Sequence, residues 1–328
     1  DLFEQNLADS ERILGPDHPD TLTSRNNLAS AYQNAGRLEA IDLFEQNLAD
    51  SERILGPDHP DTLTSRNNLA RAYLYADRFE QAINLFKQTL ADGERILGTD
   101  HPDTLTFRNN LASAYQNAGR LDEATDLFEQ NLADSERILG PDHPDTLTSR
   151  NNLARAYLYA DRFEQAINLF KQTLADGERI LGTDHPDTLT FRNNLASAYQ
   201  NAGRLDEATD LFEQNLTDTL RILGPDHPDT LTSRNNLASA YQNAGRLEAI
   251  DLFEQNLTDT LRILGPDHPD TLITRNNLAS AYQNAGELEK AIDLFEQTLA
   301  DFERVLGPDH PHTLTSRNNL ALAREARN

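Results

Sequence analysis

The sequence contains no cysteine, methionine or tryptophan, and basic residues are scarce in it. Without cysteine, the chain can form no disulfide, no thiolate metal site and no cysteine nucleophile. Its 54 aspartates and glutamates outnumber its 29 lysines and arginines, which gives a formal net charge of −25. Because a field of this sign repels phosphate backbones, we expect no nucleic-acid ligand, whereas a neutral or basic protein or peptide is compatible with it.

Long apolar segments are also missing. Apolar runs extend over only a few residues, so we expect no membrane span and no membrane partner. The first residues lack the basic stretch and apolar core of a secretory signal. Together with the absence of cysteine, this favours a cytoplasmic protein. The chain starts without methionine inside an amphipathic pattern, so we interpret it as a piece of a longer protein.

A segment of 41 or 42 residues recurs along the chain and is marked by eight His-Pro dipeptides. A fixed period of this length predicts stacked supersecondary units rather than one closed globule. Two copies are one residue short, at Leu38–Ala40 and Leu247–Ala249, compared with Leu121–Ala124. We expect the loss to fall in a turn, because inside a helix it would rotate the following face by about 100°. The dipeptides begin at His18, His59, His101, His143, His185, His227, His268 and His310.

Each repeat predicts two helices and no strand. We expect Asp100 and Asp103 to cap the first turn of the first helix, A, and Gly119 to end it in the left-handed conformation. A second, longer helix, B, follows and ends before Gly140, which precedes a proline. The apolar residues that fall on one face of this helix A are Leu105, Leu111, Ala112, Tyr115 and Ala118.

The repeat resembles the tetratricopeptide repeat family. The period, the Asn-Asn-Leu-Ala segment and the Leu-Gly-x-Asp-His-Pro-Asp-Thr connector are similar to those of its kinesin light chain subclass. Arg108 and Asn131 depart from the signature, which has an aromatic and a small residue at these positions. The residues that match its spacing are Leu111, Ala112, Tyr115, Gly119, Ala124 and Phe128.

The resemblance implies an all-α fold, an α-solenoid superhelix of about eight antiparallel helix pairs. It also implies right-handedness and A helices that line the concave face. We expect residues 1–16 to form a partial first repeat with helix B only. Residues 17–308 then hold seven full repeats, and residues 309–328 form a C-terminal capping helix A.

The repeated histidine of the connector is a candidate metal ligand or acid–base group. Asp17, His18 and Asp20 are residue types that could bind a metal or form an acid–base set, but the set recurs in seven of the eight copies, whereas a catalytic site is normally singular. Helix capping is the favoured interpretation, and a chance metal contact at His310 and His312 is the alternative. No phosphate-binding loop, dinucleotide motif or nucleophile elbow occurs. We therefore predict a non-enzymatic chain with no metal and no cofactor.

Two consecutive asparagines in each helix A are harder to explain by structure, because asparagine is a poor helix-interior residue. The resemblance implies that they face the concave groove, where a carboxamide can donate to and accept from a peptide backbone. The alternative is that one asparagine of each pair bridges neighbouring A helices. The predicted groove residues are Asn26, Asn27, Asn67, Asn68, Asn109, Asn110, Asn151, Asn152, Asn193, Asn194, Asn235, Asn236, Asn276 and Asn277.

Two repeats carry larger groups one turn further along helix A. They are Arg71, Leu74 and Tyr75, and Arg155, Leu158 and Tyr159. We predict that Arg71, Tyr75, Arg155 and Tyr159 select ligand side chains, since arginine and tyrosine often anchor interfaces. Ordinary packing is the alternative for the two leucines. The arginine before each asparagine pair, such as Arg25, is predicted to form an ion pair with a helix B carboxylate.

These features predict a protein- or peptide-binding scaffold that holds an extended ligand along the A helices. The alternative is a self-assembling or oligomerising arm of a larger bacterial-type signalling protein. In that case, residues 1–14 of one molecule would contact the C-terminal helix of another, head to tail.

Overall fold

The computed structural model describes residues 2–35, 37 and 39–327, which form sixteen α-helices and no β-strand. Even-numbered helices are A helices and odd-numbered helices are B helices, as the repeat pattern predicts. Their bounds are α1 Leu2–Leu14, α2 Pro19–Asn34, α3 Glu39–Ile54, α4 Pro60–Tyr75, α5 Phe79–Ile96, α6 Pro102–Asn117, α7 Leu121–Ile138, α8 Pro144–Tyr159, α9 Phe163–Ile180, α10 Pro186–Asn201, α11 Leu205–Ile222, α12 Pro228–Asn243, α13 Glu248–Ile263, α14 Pro269–Asn284, α15 Leu288–Val305 and α16 Pro311–Arg327.

The helices belong to two compact units, Asp1–Ala166 and Ile167–Asn328. In the first unit each helix from α1 to α8 packs on the next, and the A helices α4, α6 and α8 also contact one another in sequence. In the second unit the helices from α10 to α16 pack in the same way, with direct contacts from α12 to α14 and from α14 to α16. This is the predicted all-α solenoid of about eight helix pairs.

A histidine side chain begins each A helix. In α6, His101 Nδ1 accepts a hydrogen bond from the backbone N–H of Asp103 over 3.2 Å. The prediction that Asp100 caps this helix is wrong, because its carboxylate accepts hydrogen bonds from Arg137 of α7 at 2.7 and 3.0 Å. The histidine directly before Pro102 has the extended backbone that aims its ring at the first turn. The capping role predicted for the repeated histidine is confirmed.

The two short repeats lose their residue at the turn between helices A and B. Helices α3 and α13 have 16 residues each, whereas α7 has 18. In the second short repeat, Ala249 and Phe253 are buried in the same way as Ala124 and Phe128, so the register of the core is preserved. The change exposes 70% of Leu247. The equivalent Leu38 lies outside the described residues.

A buried arginine in helix A joins it to two B helices. Arg108 of α6 is only 2% exposed. It donates to Asp134 of α7 over 2.6 Å and to Glu94 of α5 over 3.2 Å. The ion pair predicted for Arg25 is confirmed by its 2.6 Å contact with Asp50. The same pairing to a following B helix is made by Arg66 with Asp92, Arg192 with Asp218, Arg234 with Asp259 and Arg275 with Asp301.

A second, exposed arginine in helix B shares the same carboxylate. Arg95 lies 2.8 Å from Asp92 and 2.7 Å from Asp58, which belongs to the preceding connector. The hydrogen bond from Arg95 lowers the pKa of Asp92, burial opposes this shift, and the hydrogen bond from Arg66 lowers the pKa further. Asp92 is therefore an ionised carboxylate between two guanidinium groups.

Replacing Arg108 by alanine removes a buried cation and leaves Asp134 and Glu94 without it. We expect the free energy of unfolding to fall by about 3 kcal/mol, because breaking a buried ion pair leaves a desolvated charge. The exposed Arg137, which also contacts Asp134, is the matched control, and its alanine variant should lose less than about 1 kcal/mol. Urea denaturation followed by circular dichroism measures both values, and equal losses would contradict the structural role of Arg108.

Candidate functional site

The asparagine pairs form a row of side-chain amides that connects neighbouring A helices. The second asparagine of one helix donates from Nδ2 to Oδ1 of the first asparagine in the preceding A helix. Asn110 of α6 thus donates to Asn67 of α4 over 3.0 Å. The same bridge joins Asn68 to Asn26 (2.9 Å), Asn152 to Asn109 (2.9 Å), Asn236 to Asn193 (2.9 Å) and Asn277 to Asn235 (3.3 Å).

These bridges use only part of each amide. A carboxamide has two N–H donors and an oxygen with two lone pairs. In the bridge between α6 and α8, Asn109 uses its oxygen and Asn152 uses one N–H. The bridge itself leaves the amino group of Asn109 and the oxygen of Asn152 for other partners, and both residues are half-buried rather than enclosed. At Asn109 and Asn152 the row therefore presents a donor and an acceptor side by side, whereas Asn67 and Asn151 of the predicted groove residues are buried.

Arg71 and Tyr75 line a cavity of about 390 Å³ at the C-terminal end of α4. Asn110 of α6 lines the same cavity, so the fold brings three of the predicted groove residues together. Tyr75 is 69% exposed, whereas Leu74 is half-buried. Tyr159, at the equivalent position of α8, is 56% exposed, and Arg155 is exposed as well. The two pairs of side chains are accessible to a ligand.

Three clefts lie between neighbouring A helices, each above the B helix that connects them. The cleft between α6 and α8 has a volume of about 160 Å³ and includes Asn109 and Asn152 of the amide row. Its floor is formed by Asn131 and Ser135 of α7. A second cleft of about 160 Å³ lies between α2 and α4, above α3. A third, of about 100 Å³, lies between α12 and α14, above α13.

The floor asparagine is buried and only partly satisfied. Asn131 is 2% exposed, and its Nδ2 donates to Ser149 Oγ over 3.4 Å. Ser149 Oγ lies 3.2 Å from Ser135 Oγ. Among the described residues, no donor reaches Asn131 Oδ1. Asn47 and Asn256 occupy the same place in the other two clefts, and their Oδ1 atoms are unpartnered within the described structure as well.

Between α4 and α6 a threonine replaces the floor asparagine, and a phenylalanine replaces the serine that contacts it. The three positions there are Thr89, Gly93 and Phe107, instead of Asn131, Ser135 and Ser149. Phe107 is buried, and a Cβ atom added to Gly93 would lie 2.9 Å from its Cδ2 atom. The second unit repeats this set as Thr173, Gly177 and Phe191, with the same 2.9 Å approach. The chain therefore contains spaces of two kinds, open and ring-filled.

The sequence reasoning missed this floor. It noted Asn131 only as a departure from the small residue of the family signature. The signal that finds it is the combination of three positions, an asparagine, a serine four residues later and a small hydroxyl residue eighteen residues later. That combination occurs at Asn6, Asn47 and Asn131, and with threonine in place of the serine at Asn215 and Asn256. It is replaced as a set at Thr89 and Thr173.

Family models described as tetratricopeptide repeat match most of the sequence. One matches residues 26–95, 103–178, 187–248, 235–304 and 274–328. A second matches residues 67–136, and a third matches residues 1–20. The chain belongs to the tetratricopeptide repeat family.

Solved structures place its repeats in the kinesin light chain-like group. A Podosopora anserina structure, described as kinesin light chain nearly identical TPR-like repeats, is 36% identical over 62% of this chain and 97% of that chain, with a TM-score of 0.55. BtubC (BKLC) from P. vanneervenii is 22% identical over 71% of this chain and 94% of that chain, with a TM-score of 0.57. A signal transduction ATPase with a tetratricopeptide repeat sensor from Pyrococcus horikoshii is 17% identical over 92% of this chain and 46% of that chain, with a TM-score of 0.60. The last two similarities show the fold alone. No curated protein sequence matches the chain significantly.

Three further predictions concern membrane helices, metal binding and self-association. Across residues 2–35, 37 and 39–327, no helix is long and apolar enough to cross a membrane. The rings of His310 and His312 lie 5.3 Å apart, but the described residues contain no group of three side chains that could hold a metal ion. Leu2 and Phe3 of α1 and Leu322 of α16 are exposed. Self-association through these helices stays a prediction.

The ring of Phe107 leaves no room for a side chain at position 93, so glycine is required there. We expect Gly93→Ser to lower the melting temperature, because the new Cβ overlaps a buried ring. Adding Phe107→Ser should restore most of the loss, because serines occupy both positions at Ser135 and Ser149. Calorimetry of the single and double variants measures this coupling. Additive effects of the two substitutions would refute the close contact.

Proposed function

We propose that this chain binds an extended protein segment along the row of asparagine amides. The chain is a tetratricopeptide repeat scaffold, a class that is typical of protein–protein interaction. The asparagines do bridge neighbouring A helices, and the observation that supports the more specific proposal is the polar groups that the bridges leave over, such as the amino group of Asn109 and the oxygen of Asn152. Each bridge holds two amides in fixed orientation, so a ligand backbone meets donors and acceptors whose side chains are already ordered.

The dimensions of the row suit an extended chain. Directly packed helices lie about 8–10 Å apart, and an extended peptide advances about 3.3 Å per residue. One repeat then corresponds to about three ligand residues. A backbone that follows the row can form hydrogen bonds at each A helix without regard to its side chains.

Selectivity for side chains is assigned to the groups that differ between repeats. Arg71 and Tyr75 combine a cationic and an aromatic group in a cavity that also contains Asn110. An exposed aromatic side chain beside an arginine is a common composition of interface anchors. Arg155 and Tyr159 offer the same pair of groups on α8. We propose that these two pairs contact ligand side chains while the asparagines contact the ligand backbone.

The double variant Asn109→Ala, Asn110→Ala tests this proposal. A peptide selected from a random library against the unmodified chain serves as the ligand. We expect its affinity to fall about tenfold or more, because each lost polar contact contributes about 1 kcal/mol. Isothermal titration calorimetry measures the affinity, and circular dichroism verifies that the variant is folded.

Gln130→Ala is the matched control, since Gln130 is an exposed carboxamide on the B helix α7. It should leave the affinity unchanged. If the folded asparagine variant binds as tightly as the unmodified chain, the ligand does not lie on the amide row. A ligand weakened only by Gln130→Ala would transfer the site to the B helices.

A further inference from the structure

The open clefts contain an unpartnered hydrogen-bond acceptor that is not part of the amide row. In the cleft between α6 and α8, Asn131 has a buried oxygen to which no described residue donates. A buried acceptor without a donor lowers the stability of the fold. The ring-filled space between α4 and α6 shows that the same fold can avoid this loss. The chain therefore keeps open clefts at positions where a ring-filled space would be more stable.

The hydrogen bonds on the cleft floor establish which end of the amide is unpaired. In the cleft above α3, where Asn47 takes the place of Asn131, Ser51 Oγ donates to the backbone oxygen of Asn47 over 2.7 Å. Ser65 must then supply the proton for its 3.2 Å contact with Ser51. Ser65 can accept but no longer donate toward Asn47, so the group that faces it is Nδ2, at 3.3 Å. The oxygen of the amide is left for a donor.

The rim of the cleft also presents acceptors. Thr106 Oγ1 donates to the backbone oxygen of Pro102, and Thr148 Oγ1 donates to that of Pro144, both over 3.1 Å. Because these hydroxyl protons are used within their own helices, the oxygens can only accept. The carboxylate of Asp145 completes the rim, and 75% of its side chain is exposed.

The size and shape of the cleft restrict the group that can enter. Its volume of about 160 Å³ is close to the cavity of about 150 Å³ that accommodates benzene, a ligand of six heavy atoms. Leu105 and Leu139 provide apolar contact within it. Asn131 lines the cleft and its oxygen is enclosed, so we expect a donor to reach it only at the tip of a slender side chain. A lysine side chain has an apolar stem, five heavy atoms and three donors at its tip.

We propose that the two clefts above α7 and α3 are subsites for lysine side chains of the bound segment. This inference rests on the proposed function, because the peptide backbone must follow the amide row that borders each cleft. The lysine stem packs on Leu105 and Leu139, and its ammonium donates to Asn131 Oδ1 and to the acceptors of the rim. The third cleft has a smaller volume, about 100 Å³, and has Ile273 in place of Thr148, so its acceptor set is poorer.

The positions of the two clefts define a spacing in the ligand. They lie between α2 and α4 and between α6 and α8, two A-helix intervals apart within the first unit. Two intervals correspond to about 16–20 Å, which an extended peptide covers in about five or six residues. The ligand should therefore carry two lysines about five or six positions apart.

Peptides of alanine and serine with two lysines, separated by two to nine positions, test this spacing. We expect fluorescence anisotropy to show the highest affinity at five or six positions. General attraction to a chain of net charge −25 is a poor alternative explanation, because it depends little on spacing. Uniform affinity across the series would overturn the proposal.

Matched variants are obtained by exchanging the three residues of an open cleft with the three residues of a ring-filled space. Asn131→Thr, Ser135→Gly, Ser149→Phe copies the ring-filled set of Thr89, Gly93 and Phe107 without changing the charge. It should fold, remove the spacing preference and weaken the best peptide about tenfold. The reverse change, Thr89→Asn, Gly93→Ser, Phe107→Ser, opens a space between α4 and α6 and should add an optimum at about three positions.

The two proposals fail in different ways. If the library-selected peptide binds and responds to the Asn109, Asn110 variant, but the lysine peptides show no preferred spacing, only the lysine subsites are refuted. The same holds if the filled variant keeps the optimum of the unmodified chain. If neither class of peptide binds, both proposals fall.

Discussion

The stacking of the repeats depends on the buried arginine of the A helices from α2 to α14, whereas the equivalent Arg317 of α16 is exposed. Arg108 contacts carboxylates in the B helices on both sides, so one side chain joins three helices. Guanidinium–carboxylate contacts are directional, and they hold the A helix at one rotation and height relative to its neighbours. In that register, Asn67 and Asn110 of successive A helices meet at 3.0 Å. The amide row is thus a consequence of a charged junction rather than of hydrophobic packing alone.

The space between successive A helices depends on three positions that change as a set. With Thr89, Gly93 and Phe107 the ring packs against the bare backbone of the B helix, and the cavity between α4 and α6 is confined to the side of Arg71 and Tyr75. With an asparagine and hydroxyl residues, as at Asn131, the space opens into a polar cleft whose deepest acceptor is unpaired. A nearly uniform scaffold therefore differs along its length at defined positions, which is what a ligand with a particular pattern of side chains requires.

The helices, their order and the family were predictable, because the period, the glycines such as Gly119 and the apolar spacing are local signals. The pairing of Arg25 with a helix B carboxylate followed from opposite charge. Two features were not predictable. Asp100 pairs across the connector with Arg137 instead of capping its own helix, a choice between two short-range partners that only geometry decides. The unpaired oxygen of Asn131 depends on residues from three helices, so no single segment of sequence reveals it.

A crystal structure of the chain with a library-selected peptide tests the central claim most directly. We predict an extended peptide whose backbone lies within about 3 Å of the side-chain amides of the A helices, including Asn109 and Asn152. A peptide bound in helical form, or seated on the B helices without contact to these amides, would contradict the account.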